Sequence, residues 1–433
     1  MKIKTSVIKE FLVIVLFATQ MMPRNIGYKY AIISVIFLLA LLLDRGVKTY
    51  IIPDFLCLIY PITYVIAGFA HPYSSMIEQM VYFLISFILA RYIILSGVSS
   101  KQSFERVISW IIVLFAAYSV LGIIEAFTKF NLFDSFFNRY VATGYAANSM
   151  RYGIMRGHGV CTISINNGIL TSMIWAISAY RVFNKKSRNT LWILCYILIG
   201  LNSLLSLSRA VIAYAIIVQC LIVIKCGYKW LVKRIAIGGV ILAPIVLLLQ
   251  NRLSQFFSAI VQMFLPLLAV FDSSFYQYVN ASEGIGSFGQ RIDLWGYVFK
   301  AIKNKILFGW GYTAEFSVMI GNFRKTSIEV HWLLLLFQAG MVGMVGFICY
   351  QIWSLKKIRN IKGNLNERRV SFPYTMMLIA VGYFFVLFTC AGFEDLQMFY
   401  LLMALTEAYE VICLDSNRRF PNEISVLNNG IDK

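Results

Sequence analysis

Apolar blocks of about 15–22 residues recur along the whole 433-residue chain and constrain its fold more than any other feature. An α-helix rises 1.5 Å per residue, so a block of this length can cross a hydrocarbon core of about 30 Å. Charged residues make up only 14% of the chain, whereas soluble domains contain about 25%. The sequence therefore predicts an all-α, polytopic membrane protein and excludes a soluble fold.

About twelve transmembrane helices are predicted from these blocks. The predicted spans are residues 7–22, 30–43, 51–70, 76–95, 107–127, 159–180, 190–207, 210–224, 235–250, 331–354, 372–392 and 397–414. They divide the chain into residues 1–250, with transmembrane helices 1–9 and an outer loop at 128–158, a long periplasmic loop at 251–330, and residues 331–433, with helices 10–12 and a cytoplasmic tail.

The long loop at 251–330 is expected to have a function, because connecting segments of this length usually do. Its apolar stretch 256–270 is interrupted by Pro266 and is predicted to lie in the membrane interface. Residues 291–308 predict a short amphipathic helix. Its apolar residues Trp295, Val298, Phe299, Ile302 and Ile306 recur at helical spacing, opposite Lys300, Lys303 and Lys305.

The formal net charge of +19 has its simplest explanation in membrane topology. If both termini are cytoplasmic, most of the 39 Lys and Arg residues lie in segments on the cytoplasmic side, mainly 181–188, 225–234, 356–369 and the two tails. This is the bias expected of a protein inserted by the positive-inside rule. The partner predicted from the charge is therefore the lipid bilayer and not a nucleic acid.

Arg209 lies in the middle of an apolar run, residues 190–224, that is too long for one span. As a single helix this run would measure ~52 Å, and an arginine at the bilayer centre costs at least ~2.5–3.5 kcal/mol. Both problems disappear if the chain turns at Ser208 and Arg209 and places the arginine at the outer surface. Arg209 is then either a functional cation or an arginine that only anchors a hairpin.

Two arginines, a histidine and several glycines lie just before the predicted span at 159–180. Arg151, Arg156 and His158 would lie at the outer face, where they suit an anionic ligand because a guanidinium group can bind two phosphate oxygens at once. The alternative is an ordinary basic loop at the membrane interface.

Residues 283–291 contain the pattern G-x-G-x-x-G, formed by Gly284, Gly286 and Gly289. No strand precedes it, so a dinucleotide-binding site is not expected. A glycine-rich turn that enters a helix still exposes backbone N–H groups that can hold a phosphate. Arg291 is predicted at the start of that helix.

His331 lies where the long loop meets the next predicted span, with Glu329, Arg324 and Lys325 close by in sequence. At this position it is either the polar end of a span or a base that faces the outer surface. No CxxC pattern and no outer cluster of Asp, His or Cys has the spacing of metal ligands, so no metal site is expected.

These motifs together resemble those of the O-antigen polymerase and O-antigen ligase superfamily of bacterial membrane glycosyltransferases. The likeness covers about residues 150–346, and the order and common side of the motifs make it more specific than any one of them. The matching residues are Arg156-Gly157-His158-Gly159 with Asn166, Ser208-Arg209, Arg291-x-x-x-Trp295, Gly309-Trp310-Gly311, and His331 followed by Gly340-Met341-Val342-Gly343.

The resemblance implies a glycosyl transfer without nucleotide sugar, cofactor or metal, with inversion at the anomeric carbon. Donor and acceptor would be oligosaccharides on undecaprenyl diphosphate at the periplasmic face of the inner membrane, in the synthesis of lipopolysaccharide or capsule. A chain-length regulator and a flippase are the protein partners that this implies.

The same resemblance implies roles for particular residues. Arg209 and Arg291 would stabilise the charge that develops on the leaving diphosphate. His331 would accept the proton of the acceptor hydroxyl, with Glu329 as a substitute base. The remaining candidates would hold the glycan or phosphate: Arg151, Arg156, His158, Arg324 and Lys325.

Two alternatives remain open from the sequence. Trp332 and the short distance from His331 to Gly340 differ from the usual ligase pattern and favour a polymerase, but a ligase that transfers the glycan to lipid A-core is not excluded. A flippase for lipid-linked oligosaccharides is the alternative from another class. Against it, the acidic residues lie near the ends of the predicted spans and no inverted repeat is visible.

Overall fold

A computed structural model describes most of the helical part of the chain. The described residues are 5–22, 27–44, 55–71, 76–131, 150–151, 154–161, 163–184, 190–227, 254, 258, 261, 286–312, 314–320, 323–325, 328, 330–361, 365, 367, 369–390 and 394–419. The predicted span at 235–250, the interfacial stretch at 256–270 (apart from 258 and 261) and Glu329 lie outside them.

The described residues form an all-α fold with two short β-hairpins. The helices are α1 Thr5–Ala18, α2 Gly27–Asp44, α3 Phe55–Phe69, α4 Met76–Phe83, α5 Ala90–Gly97, α6 Lys101–Thr128, α7 Ser164–Asn184, α8 Thr190–Leu204, α9 Arg209–Cys226, α10 Gly286–Ile302, α11 His331–Arg359, α12 Phe372–Val386 and α13 Glu394–Arg419. A 3₁₀ turn, Thr19–Met21, follows α1, and a π-helical segment, Leu84–Leu89, joins α4 to α5. The strands β1 Met150–Arg151 and β2 Ile154–Met155 pair antiparallel, as do β3 Val318–Ile320 and β4 Phe323–Lys325.

Helices lie on the predicted spans that the structure describes, but not all of them can cross a membrane alone. Five are long and apolar enough, namely Met80–Gly97, Lys101–Thr128, Arg209–Cys226, His331–Arg359 and Leu396–Leu414. The apolar helices Cys57–Phe69, Thr190–Leu204 and Phe372–Val386 are shorter. The prediction of twelve complete spans is therefore wrong for the described residues. Apolar segments do not by themselves indicate complete spans, because apolar side chains are buried inside the bundle as well as in contact with lipid.

Helix α7 shows burial of this kind most clearly. It contacts α6, α8, α9, α12 and α13, and it has buried side chains on all its faces, including Asn166, Asn167 and Thr171. By contrast, α9 exposes Ile217 (57%) and Ile224 (72%) to the outside of the bundle. Exposed aliphatic side chains of this kind suit a surface that faces lipid.

The bundle has two ends, which are named here after the two termini of α6. At the Lys101 end, Lys101 Nζ donates to the carbonyl of Leu365, and Phe104 contacts Phe372. The Thr128 end lies ~42 Å away along this 28-residue helix. The start of α7, the end of α8 and the start of α9 lie at the Thr128 end. His158 N and Gly159 N donate to Glu125 near the end of α6, and the preceding residue, Gly157, donates to Leu205 O.

Helix α11 is broken at Gly340, which has φ 62° and ψ −161°. The rings of His331 and Phe347 lie only 5.2 Å apart, although sixteen residues would separate them by ~24 Å in a straight helix. The segment before Gly340 therefore folds back against the segment after it as a half-helix. The predicted single span at 331–354 is wrong in this respect, and His331 is not at the outer end of a straight span.

Backbone contacts from residues 306–311 hold this break. Trp310 N donates to Phe337 O (2.7 Å) and Gly311 N to Gln338 O (2.9 Å). Met341 N donates to Ile306 O (2.8 Å) in turn. A Cβ on Gly340 would lie 2.4 Å from Leu307 O, so the close approach needs glycine. The motifs Gly309-Trp310-Gly311 and Gly340-Met341-Val342-Gly343 are thus two sides of one contact.

The region predicted as a long loop is packed protein where the structure describes it. Helix α10 buries Leu294, Val298 and Ile302 and contacts α11, while Trp295 and Phe299 are exposed. The amphipathic helix is confirmed, but it ends at Ile302 and its apolar residues divide between two faces. One face packs on the bundle and the other is exposed.

Candidate functional site

The turn between α8 and α9 is the first element of the site. Leu204 ends α8 and Arg209 begins α9, which confirms the predicted turn at Ser208 and Arg209. Leu207 has φ +47°, a conformation that is uncommon for a residue with a large side chain. Its side chain is fully buried in a small apolar cluster with Ala126, Ile154, Leu205 and Ile212, and this burial holds the strained turn in place.

Arg156 docks on this turn. Its Nε donates to Ser206 O (2.9 Å), and the next residue, Gly157, donates its backbone N–H to Leu205 O (3.0 Å). Arg156 is half-buried. This contact places the guanidinium group of Arg156 at the turn that leads into Arg209.

Glu125 organises the segment that follows Arg156. Its carboxylate is 2% exposed and accepts from His158 N (3.3 Å) and Gly159 N (2.9 Å). It also lies 3.1 Å from His158 Nε2. A buried carboxylate is tolerated because several donors converge on it.

Asn131 fixes the protonation pattern of His158. Asn131 Nδ2 donates to Gly159 O (2.9 Å) and lies 3.0 Å from His158 Nδ1. An amide nitrogen can only donate, so Nδ1 is the acceptor and Nε2 donates its proton to Glu125. Both ring nitrogens of His158 therefore have partners within the protein, and its predicted contact with phosphate or sugar stays a prediction.

Tyr118 and Asn167 complete this buried network. Tyr118 donates its hydroxyl proton to Asn167 Oδ1 (2.8 Å), and Asn167 Nδ2 donates to Gly157 O (3.0 Å). Gly159 has φ +53°, and a Cβ there would lie 2.0 Å from the Tyr118 hydroxyl. The chain from Gly157 to Gly159 is thus held between α6 and α7 and fixes the position of Arg156.

Arg209 is the first residue of α9 and is partly exposed. The N-terminus of a helix has a positive partial charge, which adds to that of the guanidinium. Helices α9 and α12 run antiparallel, because Tyr374 Oη donates to Leu221 O and Tyr214 Oη donates to Ile379 O.

This alignment places Arg209 and His331 at a similar height in the bundle. Tyr214 packs against Gly382, and Arg209 and Leu387 each lie five residues, ~7.5 Å, from that contact toward the Thr128 end. His331 N donates to Leu387 O and Cys390 O, both at 3.2 Å. The His331 side chain is fully buried, with its ring against Phe347.

For the other predicted site residues the structure describes the backbone and not the side chain. Arg291 is in the second turn of α10, which begins at Gly286. The predicted position at the helix start is therefore wrong, because Gly286 and Gly289 are themselves helical. Arg151 is paired with Ile154 between β1 and β2, Arg324 with Met319 and Lys325 with Val318 between β3 and β4.

A second cationic feature of the Thr128 end was not predicted from the sequence. A cavity of about 290 Å³ lies between the end of α3 and the segment after α10, and His71, Lys303 and Lys305 line it together with Leu307. No carboxylate is among the residues that line it. The sequence alone indicates an ordinary loop at His71, because 232 residues separate it from Lys303 and only the fold brings them together.

Glu125, Asn131 and Tyr118 were missed for the same reason. The one available signal was an acidic residue near the end of an otherwise apolar span, at Glu125.

Among the described residues no group of three or more His, Cys, Asp and Glu could hold a metal ion. No protein-family model matches this chain, and no curated protein matches it either.

Proposed function

We propose that the protein is a membrane glycosyltransferase that polymerises oligosaccharide repeat units linked to undecaprenyl diphosphate. The proposal rests on the docking of Arg156 at the turn from which Arg209 begins α9. The contact between Arg156 and Ser206, which are 50 residues apart in sequence, thereby brings the guanidinium groups of Arg156 and Arg209 to one end of a membrane bundle. A lipid diphosphate is an anion present at a membrane surface, and arginine binds its oxygens in pairs.

In the proposed reaction, the acceptor hydroxyl oxygen attacks the anomeric carbon of the donor sugar. The bond from that carbon to the diphosphate oxygen breaks, undecaprenyl diphosphate leaves with the electron pair, and the configuration inverts. Arg209, with Arg291 as a second cation, stabilises the charge on the leaving group. His331 accepts the hydroxyl proton, and its height next to Leu387 supports this assignment.

The proposed location is the bacterial inner membrane, with the Lys101 end in the cytoplasm and the site at the periplasmic face. Basic residues are concentrated at the Lys101 end, as the positive-inside rule favours for a cytoplasmic surface. They include Lys101 itself and, in the last turn of α11, Lys356, Lys357 and Arg359. Single cysteines at 186, 229 and 362 should react only from the cytoplasm, and those at 140, 285 and 325 only from the periplasm. Labelling of residue 229 from the periplasm would contradict the hairpin that positions Arg209.

The cavity lined by His71, Lys303 and Lys305 favours a polymerase over a ligase. A polymerase must hold two lipid diphosphates, one on the donor and one on the acceptor, whereas a ligase holds one. Two cationic sites at the Thr128 end fit the first requirement. Lysine side chains suit a diphosphate that is only held, and arginines suit the one whose charge changes.

The glycolipids of a deletion strain distinguish the candidate functions. Loss of a polymerase should leave undecaprenyl diphosphate that bears a single repeat unit at the periplasmic face. Loss of a ligase should leave long glycans on the same lipid, and loss of a flippase should leave single repeats in the cytoplasmic leaflet. Either of the last two results, or an unchanged profile, would overturn the proposal.

A further inference from the structure

A cavity of about 330 Å³ lies at the Lys101 end of the bundle, away from the site described above. Residues near the start of α6, the end of α7 and the start of α8 line it. Its charged, polar and aromatic lining includes Glu105, Arg106, Ser109, Trp110, Arg181 and Trp192. Nothing in the proposed reaction uses this cavity.

Arg181 is the residue that indicates a ligand. It is only 7% exposed, its Nη1 lies 3.3 Å from Glu105 Oε2, and its guanidinium lies 5.4 Å from the centre of the Trp192 ring. Its buried Nε donor has no acceptor among the described residues. Arg181 also lines the cavity, so its guanidinium offers a positive charge to an anionic group bound there.

The other charges of the cavity have both signs and are accessible. The side chain of Glu105 is 42% exposed, and that of Arg106 is 51% exposed although it also pairs with Glu10. A purely anionic ligand would meet the Glu105 carboxylate. A ligand with a phosphate and a primary ammonium group would match both signs, and each ammonium N–H could find an oxygen acceptor.

The surroundings indicate that the ligand is a lipid. Trp110 is 55% exposed, and Leu191 and Leu194 of the neighbouring helix are 47% and 45% exposed. Indole rings are enriched at the level of lipid headgroups, with aliphatic side chains toward the hydrocarbon. The cavity thus opens where a headgroup would lie, and the acyl chains would run along α8.

We propose that this cavity binds the headgroup of a phosphatidylethanolamine-type lipid in the leaflet at the Lys101 end. The phosphate accepts from Arg181 and Arg106, and the primary ammonium donates to Glu105. Ser109 and Gln102 supply further polar contacts in the cavity. This binding is independent of the reaction at the Thr128 end.

The test is lipid binding to the purified full-length protein, measured by native mass spectrometry. Phosphatidylethanolamine, phosphatidylcholine and phosphatidylglycerol with identical acyl chains are the probes. Phosphatidylethanolamine should bind about tenfold more tightly than the other two, and Glu105→Gln should reduce it to the level of phosphatidylcholine. Equal binding of the three lipids, or an ethanolamine preference unchanged in Glu105→Gln, would overturn the proposal.

Two further variants keep the test independent of folding. Trp110→Ala removes an exposed ring and should weaken all three lipids without changing their order. Lys129→Gln, at an exposed position at the other end of the bundle that lines neither cavity, should leave all three affinities unchanged. Soluble glycerophosphoethanolamine should not displace the bound lipid at equal concentration, and displacement would overturn a lipid as the ligand.

Discussion

The two ends of the helix bundle use their charged residues in different ways. At the Lys101 end carboxylates pair with side chains of other elements, as Glu10 does with Arg106 and Glu410 with Lys357. At the Thr128 end Arg156 is bound to a main-chain carbonyl, and Lys303 and Lys305 are exposed. Charge at the first end joins helices to one another, whereas Lys303 and Lys305 at the second end lie where an anionic ligand could reach them.

The carboxylate of Glu125 also differs from the carboxylates at the Lys101 end. It lies at the Thr128 end, but it is buried and bound by the backbone of residues 158 and 159. It therefore supports the segment that positions Arg156 and does not lie at the surface. The comparison predicts that changes at the Thr128 end affect reaction and local order, whereas changes at the Lys101 end have small effects on either.

The largest expected effect is that of His331→Ala. If His331 is the base, turnover should fall by roughly 10²–10⁴-fold while binding of the lipid donor changes little. The backbone bonds from residue 331 to Leu387 and Cys390 remain in this variant. Trp332→Phe, at the next position, is the control and should retain activity. Equal losses in binding and turnover would assign His331 to packing alone.

Gly340→Ala should disrupt the Thr128 end through its backbone. The new Cβ would lie 2.4 Å from Leu307 O at a residue with φ +62°, and backbone strain and overpacking together cost about 2–6 kcal/mol. The expected result is a large fall in Tm in detergent. Gly296→Ala is the matched control, because nothing lies within 4 Å of its Cβ position in α10. It should leave Tm unchanged or raise it slightly.

Glu125→Gln should cost more stability than Arg106→Gln. The introduced amide cannot accept all the hydrogen bonds that the carboxylate accepts, so about 1–3 kcal/mol is expected from the buried groups left without a partner. Arg106 is half exposed while its partner Glu10 is buried, and Gln at position 106 keeps an N–H donor for that carboxylate, so a smaller loss of about 1 kcal/mol is expected. Thermal unfolding of the two variants measures the difference. A larger loss in Arg106→Gln would reverse the assignment of the two ends.

The smallest effect is a pH dependence at the Lys101 end. Burial raises the pKa of Glu367 above its ordinary value, although hydrogen bonds from Tyr180 and Tyr409 act in the opposite direction. The folded protein then binds this proton more tightly than the unfolded chain, so stability should fall as pH rises from the ordinary pKa through the raised one. Glu367→Gln should reduce this slope in Tm measured against pH. A steeper slope in the variant would contradict it.

Much of the helical layout could be predicted from the apolar blocks alone. The turn before Arg209 was predictable because the apolar run 190–224 is too long for a single span and has an arginine near its middle. The break at Gly340 was not predictable, because it lies in a run without charged residues and depends on backbone hydrogen bonds with residues 306–311. Contacts of this kind leave no periodic signal in the sequence.

Part of the site was predictable, because charged residues stand out beside apolar runs. Arg156 and Arg209 stand out in sequence as arginines beside apolar runs. Glu125 and His158 are 33 residues apart and His71 is far from Lys303 in sequence, so only the fold shows which of them meet. The span count was too high because helices inside a bundle can be as apolar as helices in lipid.

The central claim is that the cations of the Thr128 end act on the lipid diphosphate, and Arg209→Lys tests it most directly. Lysine keeps the charge but cannot bind two phosphate oxygens in a fixed plane. The measurement is the glycan length distribution in strains with Arg209→Lys or, as control, Arg106→Lys at the Lys101 end. Arg209→Lys is expected to leave single repeat units on undecaprenyl diphosphate, a loss of roughly 10²–10³-fold in transfer, and Arg106→Lys to give a normal ladder. A normal ladder in the Arg209→Lys strain would contradict it.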